Sequence, residues 1–125
     1  MKKTAVFIAA GTGMGADAAK HLSSKGYDIG IMSSSGKGEE LAKELGGFGF
    51  TGSNLITKDI EIFFERVLSK FNKVDVLVNS AGHGPKGDIL ELKDEDWIKG
   101  MDCLLYTSDA ADDTPCVDLG GRRII

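Results

Sequence analysis

Cysteine, proline, tyrosine and tryptophan are all scarce: two, two, two and one among 125 residues. Both cysteines, Cys103 and Cys116, fall near the end of the chain. They define no disulfide framework and no redox compartment. The two histidines, His21 and His83, form no His/Cys cluster with metal-ligand spacing. Excess positive charge is lacking too. Fifteen Lys and Arg against 19 Asp and Glu give a net charge of −4 and a pI near 5.1. That balance argues against nucleic-acid and membrane-surface roles, which take basic patches. No apolar run approaches the ~18 residues of a membrane span. The opening MKKTAVFIAAG has a faint look of a signal peptide. Its apolar run is short and glycines follow at once, so a buried strand in a cytoplasmic protein is the expectation.

What is present is glycine, 17 residues of it, and two hydrophobic periods that alternate along one domain's length of chain. TAVFIAA (4–10) is a continuous apolar run, as in a strand buried on both faces. Residues 14–25 place Met14, Ala18, Leu22 and Lys25 at helical spacing, with Gly26 as a stop. YDIGIM (27–32) is a second strand. Residues 37–45 carry Leu41 and Leu45 on one helical face before Gly46 and Gly47. FGFT (48–51) is a third strand. Residues 58–71 set Ile60, Phe63, Phe64, Val67, Leu68 and Phe71 on one face of an amphipathic helix. VDVLVN (74–79) is a fourth strand. Residues 92–101 begin another helix, with Asp94 as N-cap and Trp97 on the packed side. Strands alternating with helices at this pitch predict βαβ units: an α/β, Rossmann-type, doubly wound parallel sheet.

The first strand runs into Gly11, Thr12, Gly13, Met14 and Gly15, which open the first helix. A pyrophosphate needs that arrangement, because side chains at the turn would hold it away from the backbone N–H groups and the positive helix end. Together with this loop, VDVLVNSAGHG (74–84) resembles the short-chain dehydrogenase/reductase family. That family's fourth strand ends in Asn-Asn-Ala-Gly, matched here by Asn79, Ser80, Ala81 and Gly82. Its Thr-Gly-x-x-x-Gly-x-Gly loop is matched with Ile8 and Ala9 in the first two places and Gly13 and Gly15 in the last two. DEDWIKGMD is similar as well, so the resemblance runs from about Lys3 to Asp102. Ala9 stands where the family has glycine, and its Cβ is expected to tighten the pocket without blocking it. Ser80 in place of the second Asn is a small polar exchange.

The resemblance implies a nicotinamide dinucleotide cofactor. An acidic residue at the end of the second strand would favour NAD by accepting hydrogen bonds from the ribose 2′-OH. The aligned position is Ser33, followed by Ser34, Ser35, Gly36 and Lys37. Three hydroxyls and an ammonium suit a 2′-phosphate, so NADP(H) is expected over NAD. The family's adenine-contacting Asp aligns with Ser53, and Ser53 or Asn54 is expected to face the base. Asn79, Ala81 and Gly82 are expected to line the nicotinamide side.

The family's tyrosine acid/base, the lysine four residues after it, the orienting serine and a helical Asn are all missing. Tyr27 is followed at that spacing by Ile31 and Tyr106 by Ala110, and the helical Asn aligns with Leu104. No catalytic residue is therefore assigned. An unperturbed histidine suits proton transfer, but His83 comes without the serine and lysine partners, and it is read as a loop histidine. Residues 103–125 resemble translated sequencing adapter. CLLYTSDAADD is one frame of a transposase-type adapter, VDLGGRRII is one frame of the flow-cell end, and the codons between fit the length of a library index. Residues 1–102 are thus expected to be the cofactor-binding portion of an oxidoreductase for a small carbonyl or alcohol, inactive as written, whose full-length form is a homo-oligomer. A non-catalytic dinucleotide-binding sensor is the alternative, and a nucleotide-sugar epimerase or dehydratase on a related fold is a third reading.

Overall fold

The computed structural model describes residues 2–81 and 87–101. Four strands and three helices alternate: β1 Thr4–Ile8, α1 Gly13–Ser24, β2 Asp28–Ser33, α2 Lys37–Glu44, β3 Phe48–Thr51, α3 Thr57–Phe71 and β4 Val76–Asn79. All pairings are parallel and the sheet order is β3-β2-β1-β4, with Thr4 opposite Asp28, Ala5 opposite Val76 and Gly30 opposite Phe48. The predicted α/β class is therefore the observed one.

Alternation along β1 divides the core in two. Val6 and Ile8 pack on one face with Met32, Leu77 and the α3 residues Ile60, Phe63, Phe64 and Val67. Ala5 and Phe7 pack on the other with Ile29, Ile31, Ala16 and Ala19 of α1, and Leu41 and Ala42 of α2. Helices on both faces bury β1 completely, which is why its sequence is apolar without a break. On the α3 side Phe63 lies 6.2 Å, centroid to centroid, from both Phe48 and Phe50 and 5.5 Å from Phe64.

The helix stops follow from turn chemistry. After α1, Gly26 at φ +86 donates its N–H to the Ser23 carbonyl and Tyr27 donates to Leu22. After α2, Gly46 at φ +68 donates to Lys43 and Gly47 to Ala42. These paired bonds satisfy the last helical carbonyls, and a left-handed glycine makes them possible. Asn72, at φ 66, ends α3 in the same conformation.

Several boundaries differ from the expectation. β1 ends at Ile8 because Ala9 turns to φ 59. β2 starts at Asp28, since the Tyr27 N–H is used in closing α1. β4 starts at Val76; the Asp75 carboxylate accepts the Thr4 N–H at 2.7 Å and pins the strand's entry. The buried face of α1 is Gly15, Ala16 and Ala19, whereas Met14 is 90% exposed. Residues 94–101 are helical as expected, but Lys93 occupies the N-cap position. The Asp96 carboxylate accepts the Lys93 N–H at 3.0 Å, and the Lys93 carbonyl accepts from Trp97. Trp97 is exposed, not packed. Gly82, His83 and residues 103–125 lie outside the described residues.

Candidate dinucleotide-binding site

The carboxyl ends of the four strands carry the site. Ala9 extends the sheet by one bond, its N–H donating to the Met32 carbonyl at 2.8 Å, and then turns the chain away. Gly13 at φ +67 completes that turn and opens α1. Thr12 is the N-cap residue but contributes no side-chain cap, and no acidic residue stands in the first turn of α1. The helix therefore presents its positive end without a side chain to offset it, which fits a pyrophosphate.

Gly15 is buried, and its role in the structure is close approach. A β-carbon there would lie 2.8 Å from Ser80 Oγ and 2.9 Å from Ser80 Cβ and Ala10 Cβ. The two motifs that carry the family resemblance thus meet directly. At the end of β4 the Ser80 N–H donates to the Ile8 carbonyl, and Asn79 Oδ1 accepts the Ala81 N–H at 3.0 Å. This Asx-type turn sets the exit of the strand beside the loop. Ala81 is buried against the α3-side core.

Ser33 is engaged within its own turn. It is 5% exposed, its hydroxyl donates to the Ser35 carbonyl at 2.5 Å, and it accepts the Gly38 N–H at 3.0 Å. Its side chain builds the β2–α2 turn. Ser34, Ser35 and Lys37 are exposed around that turn. Gly11 packs against it: a β-carbon there would come within 3.2 Å of Ser33 Oγ and 3.3 Å of Lys37 Cβ. Beyond β3, the Ser53 N–H donates to Asp59 Oδ2 at 2.9 Å and Ser53 Oγ accepts the Leu55 N–H at 3.2 Å. Asn54 is half-buried beside it. Asp59 was not among the sequence-derived site residues. Its place at the third helical position of α3 is the signal that marks it, since side chains there reach back to loop amides.

A cleft of about 410 Å³ opens on the outer side of the glycine loop, between α1 and α2. Thr12, Gly13, Asp17, Lys20, Lys37 and Glu40 are among its walls. Tyr27 and His21 are remote from all of this. Tyr27 precedes β2 at the opposite end of the sheet, a strand length or roughly 20 Å away, and His21 lies along α1, about 12 Å from Gly13. Among the described residues no group of three or more His, Cys, Asp or Glu is placed to hold a metal. No helix among them is long and apolar enough to cross a membrane.

A parallel, doubly wound sheet with a glycine turn at the positive end of its first helix defines a dinucleotide-binding α/β domain. The sequence profile of the short chain dehydrogenase family matches residues 3–107, and the chain belongs to that oxidoreductase family. An uncharacterized oxidoreductase of Thermotoga maritima is 34% identical over 103 residues, covering 79% of this chain and 41% of its own length. The 3-oxoacyl-(acyl-carrier-protein) reductase of Haemophilus influenzae is 33% identical over 102 residues, covering 79% of this chain and 42% of its own. In three dimensions the chain is similar to the 3-ketoacyl-(acyl-carrier-protein) reductase of Brucella melitensis complexed with NADH. The TM-score is 0.76 at 26% identity, over 86% of this chain and 46% of that one. An actinorhodin polyketide ketoreductase with NADPH shares the fold at a TM-score of 0.79 and 24% identity, over 90% of this chain and 47% of that one. The chain thus spans about half the length of the relatives it matches.

Proposed function

We propose that this chain is the cofactor-binding portion of an NADP(H)-dependent short-chain oxidoreductase that interconverts a carbonyl and an alcohol. One observation carries the reading: the acid-free, uncapped start of α1 lies on a glycine turn that packs directly against Ser80 at the end of β4. Thr12, Gly13 and Met14 supply backbone N–H groups to the pyrophosphate, with Gly11 and Gly15 keeping the loop close to its neighbours. Ser34, Ser35 and Lys37 take the 2′-phosphate. Ser53, whose N–H the Asp59 carboxylate accepts, and Asn54 border the adenine. Asn79, Ala81 and Gly82 border the nicotinamide ribose. The cofactor, when bound, supplies or accepts the hydride.

The two reductase relatives act on 3-oxoacyl groups by name. A small carbonyl or alcohol is the corresponding substrate class here, in a cytoplasmic, homo-oligomeric full-length protein. This chain contains no Tyr-x-x-x-Lys sequence and is expected to bind without turning over. Residues 103–125 are read as adapter-derived, with the last five residues of the family match, 103–107, falling inside that stretch. Titration of the 125-residue chain into NADPH, followed by the reduced nicotinamide's fluorescence, tests the cofactor assignment. Saturable enhancement without oxidation of the cofactor by added carbonyl compounds is expected. No saturation overturns the binding reading, and turnover overturns the expected inactivity.

A further inference from the structure

The peptide between Ile8 and Ala9 is bonded on both sides. Its carbonyl accepts the Ser80 N–H at 2.9 Å, and its N–H donates to the Met32 carbonyl at 2.8 Å. The end of β1 is thus fixed from β2 on one flank and from the exit of β4 on the other. Immediately beyond, Ala9 turns to φ 59, a left-handed conformation that glycine adopts freely and alanine only at a cost. Such strain persists where the surroundings over-determine it. Here they do so through side chains as well as hydrogen bonds. Ala9 packs against the α3-side core, and Ala10, the next residue, is fully buried in the α1-side core. Two successive methyl groups therefore pin the root of the glycine loop to opposite faces of the sheet. The anchor extends to the first turn of α1, because a β-carbon on Gly15 would come within 2.9 Å of the Ala10 methyl.

We propose that Ala9 is a positioning residue for the dinucleotide: its methyl group, held in the α3-side core on a left-handed backbone, fixes the glycine loop in its binding conformation before the cofactor arrives. The proposal rests on the dinucleotide reading above and deepens it. Glycine, which stands at this place in the family's loop, meets the same φ without strain. It has no methyl to bury, however, and it reaches many other conformations. With alanine, the folded chain itself carries the ordering of the loop. With glycine, part of that ordering falls on the cofactor, and affinity drops accordingly.

The test compares the 125-residue chain with its Ala9→Gly and Asn72→Gly variants, by NADPH titration and by ¹⁵N order parameters of the free chains. Asn72 has a similar left-handed backbone, at φ 66, but it ends α3 at the opposite end of the sheet. Ala9→Gly should weaken NADPH about two- to fivefold, the worth of the backbone freedom that separates glycine from alanine at one position. In the same variant the order parameters of Thr12, Gly13 and Met14 should fall from about 0.85, the value of rigid backbone, toward about 0.6. Asn72→Gly should change neither the affinity nor the order of the loop. If Ala9→Gly binds NADPH as tightly as the parent, or more weakly with the loop order unchanged, the positioning role is overturned while the dinucleotide reading stands. An equal loss of affinity in Asn72→Gly overturns it as well. If the parent chain does not bind NADPH, both readings fall together.

Discussion

Replacing Gly15 by alanine probes the point where the glycine loop meets the end of β4. The new methyl carbon would sit 2.8 Å from Ser80 Oγ and 2.9 Å from both Ser80 Cβ and Ala10 Cβ. Carbon–carbon contacts are most favourable at about 3.5–4.0 Å. Three atoms must therefore give way, and two of them are anchored on a backbone already bonded to the Ile8 carbonyl. Overpacking of this kind costs roughly 1–3 kcal/mol. Alanine returns up to about 1 kcal/mol through helix propensity, less in a first turn. The net expectation is a loss of about 1–2 kcal/mol, a factor of roughly ten in the folding equilibrium. Urea denaturation followed by far-ultraviolet circular dichroism measures it. Adding Ser80→Gly removes two of the three offending atoms, so the double variant should be more stable than the sum of the single changes by about 1 kcal/mol. A neutral Gly15→Ala, or a coupling of zero, would refute the close approach and with it the direct link between the two motifs.

Other perturbations follow from single contacts. Thr4 Oγ1 is fully buried and has no hydrogen-bond partner among the described residues; Thr4→Val keeps the shape and should raise stability by about 1 kcal/mol in the same urea assay. Asp75→Ala strips the Thr4 N–H of its acceptor at the sheet's entry and should cost about 1–2 kcal/mol, seen as a lower melting temperature. Asn72 ends α3 at φ 66. Asn72→Gly should be neutral or mildly stabilising and Asn72→Ala should lose about 1 kcal/mol, an order of effects that a thermal melt resolves.

The parts of the fold that were legible in the sequence are those with strong hydropathy contrast. In α3 the large apolar residues of one face stand against Lys58, Glu65 and Lys70; Ile60, Phe63, Phe64 and Val67 are buried, and Leu68 and Phe71 are partly buried against the same core. In α1 the contrast fails. Its buried face is made of Gly15, Ala16 and Ala19, whose small side chains let the helix approach the sheet, while the long apolar Met14 stands in solvent. The strand end at Ala9 was illegible for another reason, because nothing in alanine's side chain signals a left-handed backbone. Ser33 shows the limit for sites. Alignment places it at the end of β2, and the structure adds that its hydroxyl donates to the Ser35 carbonyl and accepts the Gly38 N–H. Trp97 resembled a packed residue by position and is exposed. That face has no covering element among the described residues, in a chain about half the length of its relatives.

The most direct test is titration of NADP⁺ into the ¹⁵N-labelled chain, followed by amide chemical shifts. The account predicts saturable shifts confined to Thr12, Gly13 and Met14, the Ser34–Lys37 turn, Ser53–Asn54 and the exit of β4. The amides around Tyr27, at the far end of the sheet, should stay fixed. Saturable shifts centred elsewhere, or none at all from a folded chain, would contradict a cofactor site at the carboxyl ends of these strands.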